Sequence, residues 1–361
     1  MNPVAPLISA VMAVYNGEEF LAQTLESIIS QSFEPFELIV VDDASTDSTP
    51  SILKSFAERD GRIKIFRNSE NLRLAASLNK GIGFAEGKYI LRIDADDICL
   101  PERFAAQYRY MEENPQADLS FCRFFSLKNG EIMPCWLGRR LGNDGIRAML
   151  LFFCPVLHPG VIAKSEVMKK YSYDPLHTCS EDIDLWLRMT ADGVNITCSG
   201  DYLMLYRIHG KSVTAKSEEK QGREVLLSEK RFYSAVLSGI PQSQEEFYIN
   251  GIYFRRSPDI RRLYSFYRYI IRENRKKRLF SENAVISAAA EVLAEYNRSG
   301  RLSFADKLYM LRFGGIRLIA EILRKKLQSR RDLKAACGTA ERAGFKIKGH
   351  NGILPIYYLE N

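Results

Sequence analysis

The first 114 residues alternate between two patterns. Apolar runs of strand type, LISAVMAVYN (7–16), FELIVVDD (36–43), RIKIFRN (62–68) and KYILRID (88–94), are separated by stretches of helical periodicity. In EEFLAQTLESIISQ (18–31) the apolar residues Phe20, Leu21, Leu25, Ile28 and Ile29 recur at helical spacing. Strands spaced by helices cannot pair as tight hairpins. They must cross over, and so build a mostly parallel sheet. FELIVV is apolar apart from Glu37, close to the continuous run of a strand covered on both faces. Ser48 or Thr49 caps the second helix, with Pro50 in its first turn and Gly61 after its end. Gly87 closes a short third helix, and Pro101 opens a fourth.

In such a sheet ligands gather beyond the carboxyl ends of the strands. Three of these ends carry polar groups: Tyr15-Asn16, Asp42-Asp43, and Asp94-Ala95-Asp96-Asp97. Three acids within four residues repel one another. A hard cation such as Mg2+ or Mn2+ relieves that repulsion and leaves positions open for a diphosphate. The plain alternative is a solvated acidic loop, and Asp97 by itself reads as a cap for the helix at Pro101. Asp43 can accept from the N–H of a base such as uracil, and Tyr15 offers a ring to stack on it. Seen alone, Asp42, Asp43 and Asp47 make an ordinary turn and cap.

Two later motifs matter. SEDIDLWLRMTADG (180–193) reads as a helix with Ser180 at its N-cap. Glu181 and Asp182 suit the positive end of its dipole, which would tend to keep Asp182 ionised as a general base. Trp186, one turn on, is a core residue or a sugar platform. In LYRIHGKSVTA (205–215), His209 can complete a metal shell, and Arg207 and Lys211 can hold phosphate. His158, in VLHPGV, reads as structural.

A chain of 361 residues suggests two units, at about 100–200 residues each. The character changes after Ser212, so a boundary is expected near 213–220, with an α/β unit at 1–215 and a helical unit at 216–361. Residues 1–215 hold 22 Lys+Arg against 28 Asp+Glu; residues 216–361 hold 29 against 16. The basic half is a solvated helical face or a surface for acidic partners, lipid headgroups or nucleic acid; nucleic acid is not the expected partner. The stretch 316–331 carries an apolar stripe (Ile316, Ile319, Ile322, Leu323, Leu327) beside Arg317, Arg324, Lys325, Arg330 and Arg331. It can lie on an anionic membrane, pack on the first unit, or join a homodimer. Seven cysteines without a CxxC pair fit a reducing cytosol rather than a disulfide framework. The N-terminus does not read as a signal peptide. No run reaches the length of a membrane span, and AMLLFFCPVL (148–157) is expected in a core.

In order, ISAVMAVYNGEEFLAQTLESIISQSFEPFELIVVDDASTDST, NLRLAASLNKGIGFAEGKYILRIDADD, SEDIDLWLRM and YRIHGKSVT resemble glycosyltransferase family 2, whose members are inverting enzymes of the GT-A fold. The resemblance covers about residues 6–215. It implies a nucleoside diphosphate sugar donor, with a UDP-sugar favoured and GDP- or dTDP-sugars as alternatives. Asp43 and the first strand end (Ala13, Tyr15) would frame the base. Asp94, Ala95 and Asp96 would meet Mn2+ or Mg2+ and diphosphate, Asp182 would be the catalytic base, and His209 would contact metal or phosphate. Glu181, Arg207, Lys211 and Trp186 are further candidates for phosphate or acceptor contacts. Many relatives have glycine where this chain has Arg73, which can reach the nucleotide. The acceptor would be a glycan or lipid-linked glycan in bacterial cell-surface synthesis, met in the cytoplasm or at the inner face of the plasma membrane. A sugar-nucleotide nucleotidyltransferase would need a glycine-rich phosphate loop that AVYNGEEF does not supply. A non-catalytic scaffold would not need its acids intact, and a glycosidase needs no nucleotide site.

Overall fold

A computed structural model describes residues 5–134, 141–210, 218–239, 241, 259–298 and 315–342. Lys211 and most of the expected boundary segment lie outside the described residues. The chain begins β1 (Ile8–Val14), α1 (Leu21–Ile29), β2 (Phe36–Asp42), α2 (Thr49–Arg59), β3 (Ile63–Arg67), α3 (Arg73–Phe84), β4 (Tyr89–Arg92). Strands β3, β2, β1 and β4 lie side by side and parallel. The remaining strands extend the sheet past β4: β5 (Ile98–Cys99), β6 (Leu119–Lys128), β7 (Glu131–Pro134), β8 (Val161–Lys164) and β9 (Ile196–Arg207). The order runs β3-β2-β1-β4-β8-β6-β9-β5, and β7 pairs with β6. Strand β8 is antiparallel to β4 and β6, while β6 and β9 run parallel, so the sheet is mixed.

The apolar runs are explained by burial on two faces. Ile8, Ala10 and Met12 of β1 join Leu38 and Val40 of β2 under α1, α2 and α4 (Arg103–Glu113). The alternate residues Val11, Ile39 and Ile90 face the other way, against Leu78 and Ile82 of α3. Leu150 to Phe153 are buried in this second cluster, as expected for a core segment. The cluster also covers α5 (Asn143–Met149), α6 (Ser165–Tyr171) and α7 (Glu181–Ala191).

Among the described residues, four helices follow the sheet: α8 (Glu218–Val236), α9 (Ile260–Lys277), α10 (Glu282–Arg298) and α11 (Gly315–Arg342). Their apolar stripes enter the same cluster as the sheet face, through Val225, Phe232, Phe266, Ile270, Val285 and Leu318. At its far end α11 sets Ala336 and Ala340 against Phe125, Tyr202 and Leu205. Thus part of the stripe proposed for a membrane is turned inward: Ile322 packs on the core, beside the buried Leu318, and Ile319 is half-buried, while Leu323 stays exposed. The side chains of Ile316 and Leu327 lie outside the described residues. Among the described residues no helix is long and apolar enough to cross a membrane.

Local signals and final roles differ at two places. Gly87 lies three residues past the end of α3, so it does not terminate the helix. It is a point of close approach: a Cβ there would sit 2.6 Å from the Ser9 nitrogen and 2.8 Å from the Ile8 carbonyl carbon. Asp97 does not cap α4; the capping position is Glu102, with no side-chain cap hydrogen bond. Because the atoms opposing Gly87 are backbone, Gly87→Ala is expected to lower stability by about 1–3 kcal/mol, read as a shift of the urea midpoint.

Candidate active site

Three loops beyond the parallel strands interlock before any ligand is considered. After β1, the amides of Asn16, Gly17 and Glu18 donate to Ser45 Oγ, Thr49 Oγ1 and Asp47 Oδ2 of the loop after β2. Return bonds run from Thr46 N to Asn16 Oδ1 and from Ser48 N to Glu18 Oε2. The acids of VVDDASTDST therefore have separate duties. Asp42 pairs with Arg67 at 3.1 Å, and Asp47 fixes the loop. Asp43, only 3% exposed, turns toward α3. Its Oδ1 accepts from Asn68 Nδ2 at 2.7 Å and Leu72 N at 2.8 Å; its Oδ2 accepts from Arg73 N at 2.8 Å. Oδ2 thus keeps one acceptor position. Arg73 has φ +70°, a left-handed conformation that glycine adopts most readily, and its side chain is exposed. Ala13 is partly buried within β1, and Tyr15 stands at its end, 51% exposed.

The acids after β4 each have their own partner. Asp94 Oδ2 lies 2.5 Å from Arg92 Nη1. Asp96 Oδ2 lies 2.8 Å from His209 Nε2. Asp97 Oδ1 accepts from the Arg207 amide at 2.9 Å. The Arg207 guanidinium donates to Asp96 O at 2.8 Å and to Gln23 Oε1 at 2.5 Å, and lies over the Phe20 ring. The end of β9 is therefore clamped onto the acidic loop, and Arg207 is committed to protein groups rather than held out for phosphate. Ala95 is tied by its carbonyl to Thr24 Oγ1 at 2.9 Å. Carboxylate oxygens of Asp94, Asp96 and Asp97 lie within 4.8 Å of one another. Asp97 Oδ2 is buried with no hydrogen-bond partner. An orphaned buried carboxylate oxygen among three clustered acids fits a hard divalent cation.

Asp182 approaches this group from α7. The helix dipole expected to favour its ionised form is opposed by burial. Burial raises its pKa above the ordinary value, and the Ile183 N–H and the Arg92 charge only partly oppose this. Ser180 is at the N-cap, but its hydroxyl makes no cap bond. Glu181 is buried; burial and the neighbouring Asp182 push it up to about 8. His158 bonds Tyr173 Oη at 2.7 Å and faces Glu181 at 4.0 Å; burial holds its pKa well below the ordinary value, so the ring is neutral. Trp186 is 0% exposed and meets the His158 ring edge-on. It forms part of the floor and offers no face to a sugar.

The sequence reading did not single out Arg92 or Arg103. Arg92 is buried, and its charge acts on Asp94, Asp97, Glu181 and Asp182. Burial disfavours the Arg92 charge, but Asp94 more than offsets this and raises its pKa. Arg103, fully buried, donates to Arg92 O at 3.0 Å and Pro159 O at 2.5 Å. The available signal was an arginine inside YILRID, a strand that must be covered on both faces. A second cluster, Asp174, His177 and Asp184, also has ligand-type atoms within 4.8 Å of one another. Asp184 is already engaged by Arg188 Nε at 2.7 Å and Ser228 Oγ at 3.1 Å.

Glu181 supplies a pH test. Its carboxyl ionises near 4.5 ordinarily and near 8 in the fold. Between those values the native state alone holds the proton. Its contribution to stability is therefore complete below about pH 4.5 and is lost as pH rises through about 8. In metal-free buffer the urea-derived stability should fall over this window by a few kcal/mol, about 1.4 per pKa unit. Glu181→Gln should flatten that fall.

The pattern described as Glycosyl transferase family 2 matches residues 9–162. An uncharacterized glycosyltransferase of Methanocaldococcus jannaschii is 32% identical over 252 residues, which span 69% of this chain and 84% of the relative. The UDP-Glc:alpha-D-GlcNAc-diphosphoundecaprenol beta-1,3-glucosyltransferase WfaP of Escherichia coli is 28% identical over 58% of this chain and 80% of its own. Among solved structures, S. aureus TarS 1–349 in complex with UDP-GlcNAc superposes with TM-score 0.55 at 18% identity, covering 81% of this chain and 92% of that one. Mannosyltransferase PcManGT from Pyrobaculum calidifontis, in complex with GDP-Man and Mn2+, gives 0.52 at 15% identity over 89% and 87%. The two structures share the GT-A architecture described above, and the extent of the archaeal match shows that this chain belongs to glycosyltransferase family 2.

Proposed function

We propose that this glycosyltransferase moves a sugar from a UDP-sugar to a hydroxyl of a glycan or lipid-linked glycan, with inversion, in the synthesis of a bacterial surface polysaccharide. The observation that carries this reading is electrostatic convergence. The charge of the same buried Arg92 acts on Asp182 of α7 and on Asp94 beyond β4, which supports a base and a diphosphate-type acidic loop at one rim. The E. coli relative is named for a UDP-Glc donor and a diphosphoundecaprenol-linked sugar, and TarS was solved with UDP-GlcNAc.

Asp182 would take the proton of the acceptor hydroxyl as its oxygen attacks the anomeric carbon. The raised pKa serves this role, because a stronger base removes the proton more readily. Tyr15 would stack on the base of the donor, and the remaining acceptor position of Asp43 Oδ2 would take its N–H. Arg73, exposed beside Asp43, would meet the nucleotide at the mouth. Asp94, Asp96 and His209 would hold Mn2+ or Mg2+, with Asp97 Oδ2 the further oxygen available. Such an ion, when bound, supplies Lewis-acid stabilisation of the departing diphosphate. The mannosyltransferase solved with Mn2+ supports this choice of cation. Glu181, protonated at neutral pH, would donate a hydrogen bond rather than present a second charge.

In this reading residues 1–215 are the catalytic unit and 216–361 an accessory helical one. The exposed face of α9 bears Arg268, Arg272, Arg275, Lys276 and Lys277, whereas its apolar stripe is buried. Contact with an anionic membrane at the cytoplasmic face would therefore be electrostatic, through α9, rather than by insertion of the stripe in α11. A phosphate cradle of nucleotidyltransferase type is disfavoured, because the amides after β1 are already bonded to the neighbouring loop.

A nucleotide-release assay across UDP-, GDP- and dTDP-sugars, with and without Mn2+, tests the reading. UDP-sugars should turn over fastest, and EDTA should abolish release until Mn2+ is returned. Asp182→Asn should lower transfer by about 10²–10⁴-fold while UDP still binds. Transfer by that variant at the wild-type rate would remove Asp182 from the mechanism.

A further inference from the structure

We propose that Glu224, in the helical region beyond the sheet, is a positioning residue for the segment that delivers Asp182. The proposal rests on the assignment of Asp182 as base. Glu224 sits on α8, with its side chain 13% exposed. Its Oε2 accepts from the amides of Thr178 and Cys179, each at 3.0 Å, and from Ser180 Oγ at 3.3 Å. Its Oε1 accepts from Thr178 Oγ1 at 3.1 Å. Four donors from three consecutive residues converge on one carboxylate, immediately before the turn that carries Glu181 and Asp182.

The same face of α8 makes a second tie one turn later. Ser228 Oγ donates to Asp184 Oδ1 at 3.1 Å, and Asp184 also holds Arg188 at 2.7 Å. His177 joins the two ties, with Nδ1 at 3.2 Å from Ser180 Oγ and Nε2 at 3.5 Å from Asp184 Oδ1. The residues before and after Asp182 are thus bonded to α8, while the Asp182 carboxylate accepts from the amide of its own neighbour, Ile183, at 2.8 Å. That local bond cannot place the backbone. Ser180 makes no cap bond either, so the path into α7 is set from outside the helix. A largely buried carboxylate is a costly way to join two helices that pack well by apolar contact. Its advantage is directional: it fixes the register of the segment, and small displacements of a base strongly affect its rate.

The experiment compares wild type, Glu224→Ala and Glu224→Gln in three measurements. Calorimetry with UDP counts competent nucleotide sites, steady-state kinetics gives kcat per site and the donor KM, and hydrogen exchange reads the amides of residues 178–182. Glu224→Ala should lower kcat per UDP-binding site about 10-fold or more, with donor KM held within about twofold, because only the base is displaced. Its Thr178 and Cys179 amides should exchange faster. Glu224→Gln keeps the reach and one full acceptor, so it should recover most of kcat. The proposal is overturned if kcat per UDP site is unchanged in Glu224→Ala. A loss that merely tracks fewer UDP sites overturns it too, since that is a folding role. Unchanged exchange at Thr178 and Cys179 would likewise refute the clamp. Asp182→Asn in the same series separates the two readings. If it transfers normally, the base assignment fails; if it is inactive while Glu224→Ala keeps full kcat, the positioning role alone fails.

Discussion

A guanidinium buried at the end of a central strand organises this site. Arg92 is surrounded by chain on every side, and leaving its charge unpaired there would be prohibitive. Asp94, 2.5 Å away, compensates it, and Arg103 fixes the Arg92 carbonyl from behind. The positive charge then lowers the penalty for Asp97, Glu181 and Asp182, whose carboxyls burial would otherwise drive still higher. The acids do not simply repel; they share an internal counter-charge, assisted by His209 beside Asp96 and the Arg207 amide on Asp97.

This arrangement separates tasks among chemically identical side chains. Asp42 and Asp47 build loops, while Asp43 anchors the start of α3 and keeps one acceptor position. Asp94 neutralises Arg92, and Asp97 retains a buried oxygen without a partner. Asp182 becomes more basic by burial. Environment, not residue type, distributes these roles. It also explains the backbone at Arg73: the Asp43 carboxylate holds an amide whose residue is in a left-handed conformation, where a side chain is tolerated because it points into solvent.

The helices beyond the sheet are tied to the same framework. Their apolar stripes complete the cluster that covers one face of the sheet, and α8 also reaches the segment before Asp182 through Glu224. Apolar residues turn inward, and the Arg and Lys residues of α9 are left on the outer face.

The strand–helix alternation, the two-sided apolar runs and the order of acidic motifs were sufficient to read the α/β class and the rim on which the site would form. These are local properties: periodicity sets which face is buried, and parallel strands must end on one side. The acids at strand ends were legible for the same reason. Arg92 and Glu224 were not, because their importance depends on partners far away in the chain, Asp182 in one case and Thr178 to Ser180 in the other. Asp97 looked like a cap because Pro101 follows it, yet β9 brings the Arg207 amide to it from 110 residues away. Trp186 lay at a helical spacing compatible with the site, and only packing decided that its ring faces the core. The sequence by itself determined which groups were available and on which edge. The tertiary structure decided which were buried, which were paired, and therefore which carry charge.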